Sequence, residues 1–465
     1  MPPNILWICT DQQRFDTIGA LNNPHVHTPN IDRLVREGVA FTHAFCQAPI
    51  CTPSRASFLT GMYPSSVHGC TNGNDYWDEA APLVTKLLKD AGYTCGLSGK
   101  LHLAGAQGRV EPRPQDDGYS TFHWSHGVHD AWPPGDHEYA DWLRDQGYIL
   151  GEMLKAPENI PPELHQTTWC TDRAIDFIDA NQGKSWLMSV NTFDPHPPFD
   201  PPQPYLDRFD IDAMPGPLFR SSDLDAQARL AGIDFQNKPR KPEDFNAKWI
   251  QAAYYAMIEL IDDNVGRMLD ALERTGQREN TVIIFMSDHG ETLGDHGLVA
   301  KGCRFYEGLV RVPLIISWPG HFPQGLVSDA LVELTDVAPT LLELAGVDAP
   351  ERMQGRSLLP ILTEAAPPHA HRDFVRSEYY RTLNPIAQAH FEGSYATMLR
   401  DRRYKLVVYH GHDIGELFDL ENDPGEFTNL WDDPDYVTVK LKLMKQSFDA
   451  TAFALDIGPE QTTRY

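Results

Sequence analysis

The chain has 465 residues, 41% hydrophobic and 22% charged, ordinary proportions for a globular protein and enough for a large domain with a smaller companion. Its 65 acidic residues outnumber 39 basic ones, and the formal charge of −26 argues against nucleic acid or an anionic membrane surface as partner. Seven cysteines form no C-x-x-C pair, so neither a disulfide framework nor a structural zinc is indicated, and no apolar run approaches the length of a membrane span.

The N-terminus, "MPPNILWICTDQQ", carries no basic leader and no small-residue cleavage site, so a cytoplasmic location is expected. Residues 4–10 read as a short buried strand ending in polar "DQQ". In "TPNIDRLVREG", Thr28 is the expected N-cap, Pro29 the first helical residue and Gly38 the stop. A helix over 82–91, stopped by Gly92, leads into a strand that ends at Gly99 and Lys100. Another helix, 167–182, feeds "SWLMSVNTF", which ends at Asp194. The stretch 196–243, rich in proline and aspartate, reads as a long ordered loop over the site. A helix over about 244–275 then precedes "NTVIIFMSDHG".

This alternation predicts an α/β domain with a large, mostly parallel sheet flanked by helices, over residues 1–365. Short alternating runs beyond 366, with a helix near 434–453, predict a C-terminal subdomain, 366–465, made of a small antiparallel sheet and a packed helix. The tail "DIGPEQTTRY" could wrap a neighbouring subunit, which keeps a homo-oligomer open.

Ligands of open parallel sheets collect beyond the carboxyl ends of the strands, and here those ends carry "DQQ", "GKLH", "DPHPPF" and "SDHGE". A single Asp at such a place is best explained as a helix cap. Two pairs, Asp11 with Gln12 and Asp288 with His289, could instead surround one divalent cation. Mostly oxygen donors suit Ca²⁺, and the imidazole makes Mn²⁺ the alternative. Cys51, two residues before Pro53, falls at a helix N-terminus, where free N–H groups favour an anionic nucleophile. Alone, such a cysteine would read as a small buried hydrophobe.

The order of "CTPSRASFLTG" resembles the signature of the sulfatases, in the alkaline phosphatase superfamily. "NILWICTDQQ", "GKLHL", "DPHPPF", "SDHGETLGDHG", "AKGCRFYEGLVRVPLI" and "ELFDLENDPGEFTNL" extend the resemblance over nearly the whole chain. It implies an alkaline-phosphatase-like fold and conversion of Cys51 to formylglycine by a formylglycine-generating enzyme. The hydrated aldehyde, a geminal diol, would attack sulfur with one oxygen and expel sulfate with the other. By motif position, Asp11, Gln12, Asp288 and His289 resemble the metal ligands, with residue 51 completing the set. Arg55, one turn beyond Cys51, would hold the diol. Lys100 and His102, read as i and i+2 of an extended strand end, would share one face, the first on a sulfate oxygen, the second orienting the diol. His196 resembles the general acid for the leaving oxygen and Lys301 the lysine between sulfate and that oxygen. These cations supply the local attraction an acidic chain needs.

Many sulfatases have Asp-Asp and Asp-Asn where this chain has Asp11-Gln12 and Asp288-His289, a variant that resembles choline sulfatases and phosphonate monoester hydrolases. Lys100 and His102 favour sulfate. Three readings follow: hydrolysis of an aryl, alkyl or carbohydrate sulfate, hydrolysis of a phosphonate monoester or phosphodiester, and a non-catalytic sulfatase-like binding protein. The last is disfavoured, because every position named above holds a competent residue. Asn72 and Asn74, just after the Cys51 helix, are candidate substrate contacts. "FHWSHGVHDAWPPGDH", 122–137, reads as a packed or substrate-lining loop, since its histidine spacing fits no zinc pattern.

Overall fold

The computed structural model describes residues 2–106, 109–127, 132–236, 238–382 and 394–455. His129 and the tail 456–465 lie outside them. The large sheet is built, in chain order, from β1 (Asn4–Thr10), β2 (Gly38–Phe45), β3 (Thr94–Gly99), β4 (Tyr119–Trp124), β5 (Trp186–Asn191), β6 (Thr281–Ser287), β7 (Arg311–Val312), β8 (Leu314–Ser317) and β9 (Leu326–Glu333). Their spatial order is β4-β3-β5-β1-β6-β8-β2, with β7 continuing the line of β8 beyond Pro313 and β9 on the outer side of β2. Only the β7–β8 line runs against the rest.

β1 lies between β5 and β6, both parallel to it, and every residue of the three strands is buried. Helices cover both faces, so such strands are apolar on both sides rather than alternating. Ile5, Trp7 and Cys9 face a core shared with Phe58 and Leu59 of the Cys51 helix. Leu6 and Ile8 face the opposite core, with Ile261, Val265 and Met268 of the long helix Ala247–Arg274. Because β1, β3, β5 and β6 are parallel neighbours, their carboxyl ends open at one edge.

The second sheet is antiparallel, β10 (Val375–Tyr380), β11 (Tyr395–Arg400), β12 (Tyr404–Tyr409) and β13 (Gly415–Asp419), with the helix Val437–Phe453 seated on it through Leu443. Among the described residues no helix is long and apolar enough to cross a membrane.

Two expectations need correction. Gly38 does not stop the first helix, Pro29–Arg36, in a left-handed turn; it opens β2. A Cβ there would sit 2.4 Å from the Ile316 carbonyl oxygen, so glycine is required by the close approach of β8. The stretch 196–243 is not loop throughout, since Ser222–Arg229 forms two turns of helix.

Candidate active site

The Cys51 helix runs Cys51–Thr60, with Gly61 as its left-handed end at φ 68°. Every residue in it is buried, so its N-terminus points into the protein rather than into water. The Thr52 N–H, one of the donors a helix leaves unpaired, goes to Asn72 Oδ1 at 3.0 Å.

Extended backbone would send Asp11 and Gln12 to opposite faces. The chain leaves that geometry at Gln12, φ 71°, and both side chains enter the site. Asp11 Oδ1 lies 3.6 Å from Cys51 Sγ, while its other oxygen pairs with Lys100 Nζ and stands 3.6 Å from Arg55 Nη2. Gln12 Oε1 accepts from Lys301 Nζ at 2.8 Å, its backbone N–H donates to Asp288 Oδ1 at 3.0 Å, and Tyr254 of the long helix donates to its carbonyl at 2.6 Å.

At the end of β6, Asp288 Oδ1 also takes the His289 N–H at 2.9 Å and Oδ2 takes Arg55 Nε at 2.9 Å. His289 Nδ1 lies 2.9 Å from the Gly290 carbonyl, which can only accept. Nε2 is thereby left facing Cys51 Sγ at 3.2 Å. Lys301 Nζ, from the other side, donates to Cys51 Sγ at 2.9 Å.

Burial and Asp11 push the Cys51 thiol up, and Lys100, Lys301 and His289 outweigh them, leaving it at about 7. Burial would likewise raise Asp11, but Lys100, Lys301 and Arg55 hold it well below the ordinary carboxylate range. Burial and Lys100 keep His102 neutral, and burial and Lys301 do the same for His196.

One ligand atom from each of Asp11, Cys51, Asp288 and His289 lies within 4.8 Å of the other three. Two buried carboxylates and an imidazole beside residue 51 fit a divalent cation, with Gln12 Oε1 as a further oxygen donor. Arg55 Nη2 is buried without a hydrogen-bond partner among the described residues, although Nε and Nη1 are used, Nη1 on the Lys100 carbonyl at 2.9 Å. An oxygen on residue 51 or on a bound anion would satisfy it.

Asp11, Gln12, Cys51, Arg55, Lys100, Asp288, His289 and Lys301 therefore form one contact network. Lys100 and His102 are not the i and i+2 of an extended strand. β3 ends at Gly99, φ 102°, and His102 is itself left-handed at φ 56°. His102 nevertheless stays beside Lys100, its ring 4.7 Å from that of His126. The His196 ring lies tilted against Phe193, centroids 4.5 Å apart, and Lys100 Nζ sits over the same phenyl ring, 5.2 Å from its centre. Asn74 bonds within its own loop, to Thr71 and Tyr76.

Of the aromatic segment, residues 122–124 belong to β4 and the other described residues pack as a loop: His137 Nε2 accepts from His126 N at 3.1 Å, and His123 of the strand pairs with Glu138 at 2.6 Å. Two carboxylates were not anticipated. Glu291 binds the Gln12 amide with one oxygen and the Ala300 N–H with the other. It ends the quoted "SDHGE", and its place at a strand exit was the available signal. Glu111 accepts the His102 N–H at 2.7 Å and lies in a segment without any motif.

Comparison with known proteins gives a consistent picture. The family model for sulfatases matches residues 3–347, and one described as N-sulphoglucosamine sulphohydrolase, C-terminal, matches 294–452. The chain is 31% identical to an arylsulfatase of Clostridium perfringens, over 94% of this chain and 92% of that one. It is also 31% identical to a choline-sulfatase of Rhizobium meliloti, over 93% and 83%. Among solved structures, the phosphonate monoester hydrolase of Agrobacterium radiobacter superposes with a TM-score of 0.84 at 28% identity, covering 97% of this chain and 96% of that one.

Proposed function

Because this chain belongs to the sulfatase family of sulfuric ester hydrolases, we propose that it cleaves an aryl, alkyl or carbohydrate sulfate with residue 51, converted to formylglycine, as the nucleophile. The observation that carries this reading is the position of Cys51 Sγ, buried at a helix N-terminus, 2.9 Å from Lys301 Nζ and 3.2 Å from His289 Nε2. Hydrated formylglycine supplies an oxygen that displaces the alcohol from sulfur, the S–O bond to the alcohol breaking as the new one forms. Maturation then requires a formylglycine-generating enzyme as partner.

Asp11, Gln12, Asp288 and His289 would hold one divalent cation, Ca²⁺ first and Mn²⁺ as alternative. Such an ion, when bound, lowers the pKa of an attached hydroxyl and offsets charge on the ester oxygens. Arg55 holds residue 51 through Nη2, which has no hydrogen-bond partner among the described residues. Lys100 and Lys301 bind the sulfate oxygens, and Lys301 extends to the leaving oxygen. His102, neutral by burial, orients residue 51 or accepts its proton.

His196 gives the departing alcohol a proton. Its substrate-free pKa is depressed by burial and by Lys301, and an incoming anion would offset that lysine and raise it. Asn72 is kept as a candidate substrate contact beside its role at the helix start.

Phosphonate monoester hydrolysis is the second reading. Gln12 and His289 favour it together with the superposition on the Agrobacterium radiobacter enzyme, while Lys100 and His102 favour sulfate. The deciding experiment compares nitrophenyl sulfate with a phenyl phosphonate monoester, on wild type of known residue-51 mass and on Cys51→Ala. Sulfate preference abolished in Cys51→Ala is the expected result. Phosphonate preference would install the second reading, and no turnover of either by fully converted protein would sink both.

A further inference from the structure

Lys301 is a long side chain whose ammonium must hold one place, and its backbone is strapped on two sides. On the first side are residues following β6. Glu291 takes the Ala300 N–H, and Thr292 Oγ1 donates to the Ala300 carbonyl at 2.8 Å. On the second side is the segment after the helix Ser222–Arg229. There Gln236, 9% exposed, donates through Nε2 to both the Val299 carbonyl and the Lys301 carbonyl, each at 2.8 Å.

Asp234 extends the same clamp. Its Oδ2 accepts the Cys303 N–H at 2.6 Å, and its Oδ1 accepts from Gln236 N at 3.0 Å and from Arg304 at 3.2 Å. The fully buried Arg304 closes the loop by donating to the Gln236 carbonyl at 2.9 Å. Between these anchors the backbone is bent out of ordinary geometry, with Ala300 at φ 72° and Gly302 at φ 146°. A Cβ on Gly302 would fall 2.6 Å from Asp234 Oδ2, so the clamp closes on a residue that must be glycine.

We propose that Gln236 is a positioning residue for Lys301: its amide fixes the two carbonyls that flank the lysine, and so the point from which Nζ reaches residue 51 and Gln12. Without it the left-handed alanine relaxes and the ammonium samples other places, at an entropic cost to each productive contact. The inference rests on the reading of Lys301 as the group at the leaving oxygen.

The test is a leaving-group series, nitrophenyl, chlorophenyl and phenyl sulfate, with Gln236→Met, Lys301→Ala and the double variant. Gln236→Met is expected to lower kcat/KM about threefold for the nitrophenyl ester and about thirtyfold for the phenyl ester, because a poor leaving group needs Lys301 most. In the Lys301→Ala background it should cost no more than about twofold. Gln236→Asn, whose shortened amide reaches one carbonyl at most, should show a smaller skew in the same direction and serves if the methionine variant does not fold. A uniform loss across the series, or a loss that adds in full to Lys301→Ala, overturns the proposal.

Inorganic sulfate binding, followed by calorimetry on the same proteins, separates this failure from failure of the functional reading. If wild type turns over no ester, Gln236→Met must still weaken sulfate binding when Lys301 is present and not when it is absent. Equal weakening in both backgrounds would remove the clamp.

Discussion

Arg55 spends one nitrogen on Asp288, another on the Lys100 carbonyl and keeps the third beside Asp11, and all four side chains are buried. Removing one partner of a buried ion pair leaves the other charge uncompensated, which costs more than the pair ever contributed. Arg55→Ala is therefore expected to lose about 3–5 kcal/mol of stability as well as activity, measured by denaturant unfolding. A loss under about 1 kcal/mol would mean that water or a rearranged Lys100 takes over Asp288.

Glu111 makes the pH prediction at the same scale. Burial lifts its carboxyl from 4.5 to about 7, against the lowering effect of the His102 and Leu103 N–H groups. A carboxyl raised in the folded state binds its proton more tightly there than in the unfolded chain. Its stabilising contribution is thus complete below pH 4.5 and lost as pH rises through 7. Subtracting the unfolding free energy of Glu111→Gln from that of wild type, pH by pH, should give a difference that falls over this window with a slope of up to about one proton. A flat difference curve would refute the assignment.

The Cys51 helix was legible as an element because "CTPSR" puts proline in a first turn and "TG" ends it, both signals that act within a few residues. The strand exits were legible for the same reason, an apolar run breaking into polar residues. β2 was not, since its first residue, Gly38, looks like a helix stop and is in fact demanded by a carbonyl on β8, far away in sequence. The Gln236 clamp was illegible too: a side-chain amide bonded to distant backbone carbonyls leaves no periodic trace. Asn72 shows how one residue can carry two meanings. As the partner of the Thr52 N–H it should, on Asn72→Ala, cost about 1 kcal/mol. An unchanged KM alongside that loss would leave it a cap only, and a raised KM would make it a substrate contact as well.

At the scale of the whole molecule, the change of sheet near residue 366 does not mark a break in the bonding. Glu378 of β10 takes the Ser65 N–H at 2.6 Å, and its own N–H donates to the carbonyl of Gln47, just ahead of the Cys51 helix, at 2.8 Å. Lys405 of β12, with no exposed surface, forms an ion pair with Glu307 at 2.8 Å and donates to Glu426 at 2.7 Å and to the Phe305 carbonyl at 2.8 Å. Phe305 and Glu307 belong to the segment that starts at Lys301, so the second sheet braces the loop that carries the catalytic lysine of the proposed mechanism. Burial pushes Glu307 up, yet Lys405, Arg400 and Arg311 together hold it ionised. The proposed division at 365 and 366 is therefore one of architecture, and the two parts should unfold together. Lys405→Ala leaves two carboxylates buried without their shared cation, a loss of about 3–5 kcal/mol. Calorimetry of the variant is expected to show one transition at lower temperature, with activity lost in step with it. Two transitions, the lower one leaving hydrolysis intact, would mean that the C-terminal sheet is a separate unit and that Lys301 needs no support from it.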